Sequence, residues 1–167
     1  MVRETVGVSD VSTLGKIDIQ GKDAARFLDL VYCNTFSTLP VGRVRYGLML
    51  REDGMVLDDG TTARLDENHY LMTTTTAAAG LVMRHLDLVH QAFCAGWDLR
   101  FISVTETWAQ FAVAGPKARA LLASVLDEAV DLPFMGCAPV SVHGVAGRLF
   151  RISFSGEEGY EIAVPAR

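Results

Sequence analysis

Ile17-Asp18-Ile19-Gln20-Gly21-Lys22-Asp23-Ala24-Ala25-Arg26-Phe27-Leu28 is the stretch that decides the fold. Its first part alternates apolar and polar residues, which is typical of a strand with one buried face, and its second part places apolar residues at helical spacing. Gly21 separates the two parts. The stretch therefore predicts a strand that passes through a glycine into an amphipathic helix.

The same pattern returns in the second half of the chain. The second copy reads Phe111-x-Val113-x-Gly115-x-x-Ala118-x-x-Leu121-Leu122. Two copies are too few for a solenoid. A strand–glycine–helix junction is also common by itself, so a chance recurrence is the alternative. The repeat favours an α+β fold of pseudo-duplicated strand–helix units with antiparallel strands.

Periodicity and turn residues place the other elements. The predicted strands are residues 14–20, 45–50, 55–65 (bent at Gly60), 69–75, 98–105, 108–114, 140–143, 148–154 and 160–164. The predicted helices are residues 21–32, 77–93 with Thr76 as N-cap, and 115–126 with Pro116 in the first turn, and residues 34–42 form a loop.

Composition excludes several classes of protein. The chain has 167 residues and a net charge of −5, which argues against a general nucleic-acid binder. No apolar run approaches the roughly 18 residues of a membrane helix, and the N-terminus lacks the apolar segment of a signal peptide. The mean hydropathy of +0.24 indicates a deeply buried sheet or surfaces that meet another domain or subunit. Exposed apolar edges would then cause poor solubility or self-association.

Cysteines and histidines predict no disulfide and no metal site. The three cysteines, Cys33, Cys94 and Cys137, lie far apart and are odd in number, which indicates buried or semi-buried free thiols in a cytoplasmic protein. His85 and His90 are not spaced as ligands on one helical face. No Gly-x-Gly-x-x-Gly follows the first strand, so any flavin or NAD would bind elsewhere.

The adjacent carboxylates Asp58 and Asp59 are the first place to look for chemistry. Neighbouring side chains of a strand point to opposite faces, so one carboxylate faces inward if either face is covered. An inward carboxylate is costly unless it is paired or hydrogen-bonded. A solvated hairpin is the alternative. The nearby run of threonines, residues 73–76, lacks the glycines and lysine of a phosphate cradle.

An ordered set of motifs resembles the folate-binding aminomethyltransferase family. The motifs are VGVSDVS (6–12), IDIQGxDA (17–24), RYGLML (45–50), DGMVLDD (53–59), VAGPKA (113–118) and FSGExGYEI (154–162). That family includes the glycine cleavage T-protein and the folate domains of dimethylglycine oxidase and heterotetrameric sarcosine oxidase. The threonine run and the RYGLML stretch are most similar to the sarcosine oxidase alpha subunit.

The resemblance covers nearly the whole chain and implies its domain organisation. Family members carry a further N-terminal segment and a C-terminal β-barrel domain. Residues 1–167 are therefore expected to be a single, partial folate-binding domain that is inactive by itself.

The resemblance also implies the site residues. Asp58 matches the key catalytic carboxylate, which would hold the folate amine, take up its proton and stabilise a cationic one-carbon group. Tyr46 matches a tyrosine of the folate pocket, and Asp59 is expected to be structural. Glu161 matches a glutamate that accepts two parallel donors from the pterin. Thr75 stands where glycine-cleavage members commonly carry an asparagine, whose paired hydrogen bonds a hydroxyl cannot reproduce.

The implied function is capture of a one-carbon unit by tetrahydrofolate. The carbon would come from oxidation of an N-methyl amine such as sarcosine and leave as 5,10-methylenetetrahydrofolate. Flavin and NAD would lie elsewhere in the complex, and the partners would be its other domains and subunits. A glycine cleavage aminomethyltransferase and a non-catalytic subunit-interaction domain of the same fold are the alternatives.

Overall fold

A computed structural model describes residues 2–167, which form two compact units. The central unit is residues 14–105, and the flanking unit combines residues 2–13 with residues 106–167. Each unit has its own cluster of buried apolar side chains.

Ten strands and three α-helices make up the described chain. The strands are β1 (Gly7–Asp10), β2 (Gly15–Gln20), β3 (Arg43–Leu50), β4 (Val56–Asp66), β5 (His69–Thr74), β6 (Arg100–Ser103), β7 (Trp108–Ala114), β8 (Gly136–Val142), β9 (Val145–Arg151) and β10 (Gly159–Pro165). The helices are α1 (Ala24–Val31), α2 (Ala79–Phe93) and α3 (Ala118–Ala123), with a 3-10 turn at Thr105–Thr107.

The central unit is an antiparallel sheet in the order β3-β4-β5-β2-β6. The apolar stripes of α1 and α2 share one cluster with this sheet. Phe27 and Leu28 of α1, Val82 and Leu86 of α2, and Ile19 of β2 are all 0% exposed. Burying such side chains is the main favourable contribution to folding, about 1.5–3 kcal/mol for each large residue.

The flanking unit repeats this arrangement. Its antiparallel sheet has the order β8-β9-β10-β7-β1. The single helix α3 contributes Ala118 and Leu122 to an apolar cluster that also contains Leu149, Tyr160 and Ile162. Strand β7 thus takes the place of β2, β8–β10 take the places of β3–β5, and β1 takes the place of β6. The prediction of a pseudo-duplicated antiparallel α+β fold is confirmed.

The glycine at each strand–helix junction has a physical reason. Gly21 has φ +130° and Gly115 has φ +126°, a region that favours glycine. A Cβ atom added at Gly21 would lie 2.0 Å from the Asp98 carbonyl oxygen, and one at Gly115 would lie 2.5 Å from that of Thr5. The backbone therefore approaches each junction too closely for a side chain.

All three helices have a boundary that differs from its prediction. Helix α1 begins at Ala24 rather than at Gly21. Helix α2 begins at Ala79, and Ala78 rather than Thr76 is its N-cap. Helix α3 covers only Ala118–Ala123, because Ser124 turns its hydroxyl back to the Leu121 carbonyl oxygen at 2.7 Å. Such local hydrogen bonds compete with helix continuation.

Strand boundaries also differ from the predictions at several places. The short polar strand β1 was not predicted, because most of its side chains are exposed and it lacks the alternation that marks a half-buried strand. Strands β8 and β9 each begin earlier than predicted and meet in a hairpin at His143 and Gly144, which both have positive φ. Strand β4 runs through Gly60 without interruption and pairs with β3 on both sides of this glycine.

The surface of the described residues carries many large apolar side chains. Phe154, Phe93, Leu88, Met55 and Ile102 are all more than half exposed. Cys94 and Cys137 are buried as predicted, whereas Cys33 is exposed, which corrects that prediction. None of the helices in residues 2–167 combines the length and apolarity that crossing a membrane requires.

Candidate functional site

The β3–β4 hairpin of the central unit separates the two adjacent aspartates. Asp58 lies opposite Met49 in the register, and Asp59 lies opposite Leu48. Because side chains alternate along a strand, Asp58 shares the face of Met49, which belongs to the apolar cluster. Asp59 shares the other face with Tyr46 and Thr61. The two carboxylates therefore have different surroundings and different chemistry available to them.

Asp58 is buried, at 7% exposed, and is held by one residue at the end of a neighbouring strand. The backbone N–H of Thr75 donates to Asp58 Oδ2 at 3.1 Å, and the Thr75 hydroxyl donates to Oδ1 at 2.8 Å. Both carboxylate oxygens thus have a donor, as a buried charge requires. The structure brings together two of the residues predicted from the sequence, and it makes Thr75 a partner of Asp58.

A second buried acidic group, a phenol, lies near Asp58. Tyr32, which directly follows α1, is 7% exposed, and burial raises the pKa of its phenol. The Thr62 hydroxyl opposes that rise, while the negative charges of Asp58 and Asp59 add to it. Tyr32 therefore stays protonated beside the carboxylates at neutral pH.

Asp59, which is half-buried, and the exposed Tyr46 form the more accessible pair of the hairpin. The Tyr46 hydroxyl donates to Asp59 Oδ2 at 2.7 Å, and Tyr46 is 49% exposed. This hydrogen bond to a carboxylate, with smaller contributions from burial and from the charges of Asp59 and Asp58, raises the pKa of the Tyr46 phenol. The sequence interpretation had made Asp59 structural.

The assignment of Asp58 as the catalytic carboxylate stays a prediction. Its burial and its two bonds to Thr75 are those of a group that holds the protein together, whereas Asp59 is half-buried beside the exposed Tyr46. Tyr46 and Asp59 are placed on the same face only by the hairpin register, so the sequence alone did not distinguish the two aspartates. A bulge between Met49 and Leu50 sets that register, and it could not be read from the sequence.

Two threonines support the strand that carries Asp59. Thr73 donates its hydroxyl to the Thr61 carbonyl oxygen and accepts from the Thr61 N–H, both at 3.0 Å. Their hydroxyl oxygens also lie 2.8 Å apart. The Thr73 hydroxyl thus takes the place of backbone pairing between β4 and β5 here. The neighbouring Gly60 passes very close to β5, because a Cβ atom added to it would lie 2.0 Å from the Thr73 carbonyl oxygen. The position of Asp59 therefore depends on close contacts that tolerate little change.

Glu161 lies in the flanking unit, on β10. Its neighbours Tyr160 and Ile162 belong to the apolar cluster, so Glu161 points to the opposite face and is half-buried. Gln110 on β7 is 2% exposed, and its side-chain Nε2 donates to Glu161 Oε2. Of the four predicted site residues, three are thus in the central unit and Glu161 is in the other.

A cavity of about 270 Å³ lies beside Glu161 within the flanking unit. Its lining includes Glu161 and Tyr160 of β10, Ala112 of β7, and Phe154 and Ser155 of the loop before β10. The Phe154 ring is fully exposed. A largely apolar cavity with one carboxylate is suited to an aromatic heterocycle that stacks on a ring and donates N–H groups. Sequence reasoning had not assigned Phe154 to the site, because an exposed aromatic residue in a loop has no distinctive pattern.

The other polar groups suggest no metal centre. Within residues 2–167, no group of three or more His, Cys, Asp or Glu residues is arranged to hold a metal ion. His90 packs between the rings of Phe27 and Phe101 in the central cluster. His69 Nε2 lies 2.7 Å from Asp18 Oδ2 on the neighbouring strand. These histidines have structural surroundings.

Comparison with known families accounts for the whole chain. The model of the GCVT N-terminal domain matches residues 1–167. The chain belongs to this family. The resemblance to aminomethyltransferases and to the sarcosine oxidase alpha subunit is confirmed at the level of sequence.

Relatives of this GCVT-type chain are longer enzymes. The alpha subunit of sarcosine oxidase from Rhizobium meliloti (strain 1021) is 56% identical over 99% of the chain, which spans 17% of that subunit. An aminomethyltransferase from Thermus thermophilus (strain ATCC BAA-163) is 37% identical over 96% of the chain, which spans 45% of that enzyme. The chain thus corresponds to less than half the length of either relative.

Solved structures show the same fold. Aminomethyltransferase T of the glycine cleavage system from Bartonella henselae aligns with a TM-score of 0.84 and 28% identity, over 98% of this GCVT-type chain and 43% of that one. A chain of the heterotetrameric sarcosine oxidase from Corynebacterium sp. U-96 aligns with a TM-score of 0.63 over 99% of this chain and 80% of that one. At 14% identity, the second match speaks for the fold alone.

Proposed function

We propose that this chain is the tetrahydrofolate-binding part of a sarcosine oxidase-type enzyme. In this proposal a flavin elsewhere in the complex oxidises the N-methyl amine, and the chain captures the resulting one-carbon unit. The observation that carries the proposal is the accessible Asp59–Tyr46 pair, present in a chain that is 56% identical to a sarcosine oxidase alpha subunit. The other subunits of such a complex would be its partners.

The proposed chemistry needs one proton acceptor. A folate ring nitrogen attacks the iminium carbon and forms a C–N bond, and the second folate nitrogen closes the ring as the amine leaves. The two folate N–H protons are released: one goes to the leaving amine nitrogen and the other to a base. A carboxylate close to the attacking nitrogen can take that proton and stabilise the cationic carbon.

Asp59 has the geometry for this role. It is less buried than Asp58, and its bond from Tyr46 fixes one carboxylate oxygen while the phenol remains a neutral donor, since the pKa of the phenol is raised. Asp58 was the choice from sequence; its contacts favour a role through Thr75. Asp59→Asn and Asp58→Asn therefore distinguish the two roles.

Glu161 and Phe154 would hold the pterin. A carboxylate accepts two parallel N–H groups from an aminopyrimidine edge, which gives both affinity and orientation. An exposed aromatic ring beside it would stack on the heterocycle. The cavity of about 270 Å³ beside Glu161 is slightly smaller than the usual range for small-molecule sites, which supports entry of part of the ligand, such as the pterin ring, rather than all of it.

The direct test follows the product in the intact protein with its partner subunits. Sarcosine is oxidised with and without tetrahydrofolate, and 5,10-methylenetetrahydrofolate and free formaldehyde are quantified. We expect folate to suppress formaldehyde release in the wild type, and Glu161→Gln to require much more folate for the same suppression. If formaldehyde is released equally with and without folate, the capture function is excluded, and a non-catalytic domain becomes the better interpretation.

An aminomethyltransferase of glycine cleavage is the second candidate. The TM-score of 0.84 to such an enzyme favours it, although the sequence identity to the sarcosine oxidase subunit is higher. The two differ in the donor of the carbon. Adding a lipoyl carrier protein loaded with an aminomethyl group distinguishes them: stimulation of methylenetetrahydrofolate formation would favour glycine cleavage.

A further inference from the structure

A buried amide lies directly behind the carboxylate of the flanking unit. Gln110 is 2% exposed, and its Nε2 donates to Glu161 Oε2. Glu161 lines the cavity, whereas Gln110 is not among the lining residues. The register explains the contact, because Gln110 lies opposite Ala163, which shares a strand face with Glu161. A buried polar side chain needs such a partner.

The repeat places a buried polar side chain at the equivalent position of the central unit. Ile17 corresponds to Phe111, so Lys16 in the central unit corresponds to Gln110. Lys16 is 0% exposed, and its Nζ donates to the Leu14 carbonyl oxygen at 2.9 Å. Both units thus bury one long polar side chain at the same place in the strand before the helix. Only in the flanking unit is that side chain neutral.

A neutral donor has a specific effect on a neighbouring carboxylate. It fixes the orientation of one oxygen through a charge-assisted hydrogen bond. Unlike a lysine, it adds no positive charge that would compete with a donor on the ligand. Glu161 is held in this way at the edge of the cavity.

We propose that Gln110 is a positioning residue that sets the direction of the Glu161 carboxylate for the donor edge of the pterin. This inference rests on the proposed function, since it names the residue that prepares the same folate site. Gln110 acts through Glu161 and does not contact the ligand.

The test measures binding of 5-formyltetrahydrofolate, an air-stable reduced folate, to the intact protein. Gln110→Met keeps the length of the side chain and removes the donor, so we expect the dissociation constant to rise about tenfold. Gln110→Lys should weaken binding at least as much, because its charge pairs with Glu161. Gln110→Glu places two carboxylates side by side. The loss of folate affinity in Gln110→Glu, relative to the wild type, should be large at pH 8. It should become smaller as the pH falls, because the two carboxylates can then share a proton.

The outcomes separate three cases. Wild-type affinity in Gln110→Met and Gln110→Lys, together with a pH-independent affinity ratio in Gln110→Glu, would reduce Gln110 to a packing residue. Equal affinity of the wild type and Glu161→Gln would overturn the proposed pterin contact, and absence of any folate binding by the wild type would overturn both proposals. Where Gln110→Met lowers the melting temperature too far for titration, the pH dependence of Gln110→Glu decides.

Discussion

The central and flanking units have the same frame and different polar chemistry. In both, a strand ends at a left-handed glycine and a helix begins, with the same order of antiparallel strands around it. The central unit presents Asp59 with an exposed phenol, while the flanking unit presents Glu161 with a buried amide. A phenol next to a carboxylate is suited to proton transfer, whereas a carboxylate held by a buried amide is suited to binding the N–H groups of a ligand. Duplication of the frame thus allows the two tasks to be divided.

The largest effect should come from removing the accessible carboxylate. Asp59→Asn keeps the size of the side chain but removes the base, and we expect capture of the one-carbon unit by tetrahydrofolate to slow by about 10²- to 10⁴-fold, the usual contribution of general-base catalysis. Single-turnover formation of 5,10-methylenetetrahydrofolate in the intact protein measures it.

Asp58→Asn is the matched variant. It weakens the two bonds from Thr75 and should cost about 1–3 kcal/mol of stability, with a smaller loss of capture rate than Asp59→Asn. The reverse ranking, in which Asp58→Asn abolishes capture and Asp59→Asn leaves it intact, would restore the assignment made from sequence alone.

The shared frame should be broken most easily at its two junction glycines. Gly21→Ala and Gly115→Ala each combine an unfavourable φ with a close backbone contact, so we expect each to reduce the free energy of unfolding by about 2–4 kcal/mol. Gly21→Ala should have the larger effect, because its Cβ would lie 2.0 Å rather than 2.5 Å from a carbonyl oxygen. Chemical denaturation of the intact protein measures both.

Gly54→Ala provides the control for backbone strain alone. Gly54 has φ +82°, and an added Cβ would find no atom within 4 Å. Its substitution should cost about 1 kcal/mol. Equal losses in all three variants would mean that the close approach at the junctions has no energetic importance.

The fold was predictable because its signals are local. The repeated strand–glycine–helix pattern contains the alternation of one element, the helical spacing of the next and the glycine between them. Most strands and all three helices were therefore located, with errors mainly at their ends. The helix α3 was predicted too long because a competing bond from Ser124 has no signature in the apolar pattern.

The site was predictable only in part because its geometry is not local. That one of two adjacent aspartates must face the core follows from alternation along a strand. Which one does so depends on the bulge between Met49 and Leu50 and on the partner strand. The contact between Gln110 and Glu161 joins strands far apart in the sequence, and nothing in either segment indicates it.

Removing the hydroxyl of Thr75 should reduce stability less than Asp58→Asn or the junction-glycine substitutions do. Thr75→Val keeps the shape of the side chain and the backbone N–H but leaves Asp58 Oδ1 without its donor, so we expect a loss of about 1–2 kcal/mol in stability. Thr75→Ser retains the hydroxyl and should recover most of this loss. If serine and valine are equally destabilising, the methyl group rather than the hydrogen bond is responsible.

The smallest effect, and the one that addresses the accessible pair most directly, is the titration of Tyr46. Its phenol donates to the Asp59 carboxylate, which stabilises the protonated form and raises its pKa above the ordinary value near 10. Asp59→Asn removes the negative charge, so the Tyr46 pKa should fall toward that value. The difference in absorbance at 295 nm during alkaline titration, with Tyr46→Phe to identify the signal among the four tyrosines, measures it. Since a raised pKa contributes stability below about pH 10 that is lost as the pH rises further, the wild type should also lose stability over this alkaline range slightly more than Tyr46→Phe. An unchanged phenol pKa in Asp59→Asn would mean that the pair does not persist in solution, and the proton-transfer role of the central unit would have to rest on Asp58 instead.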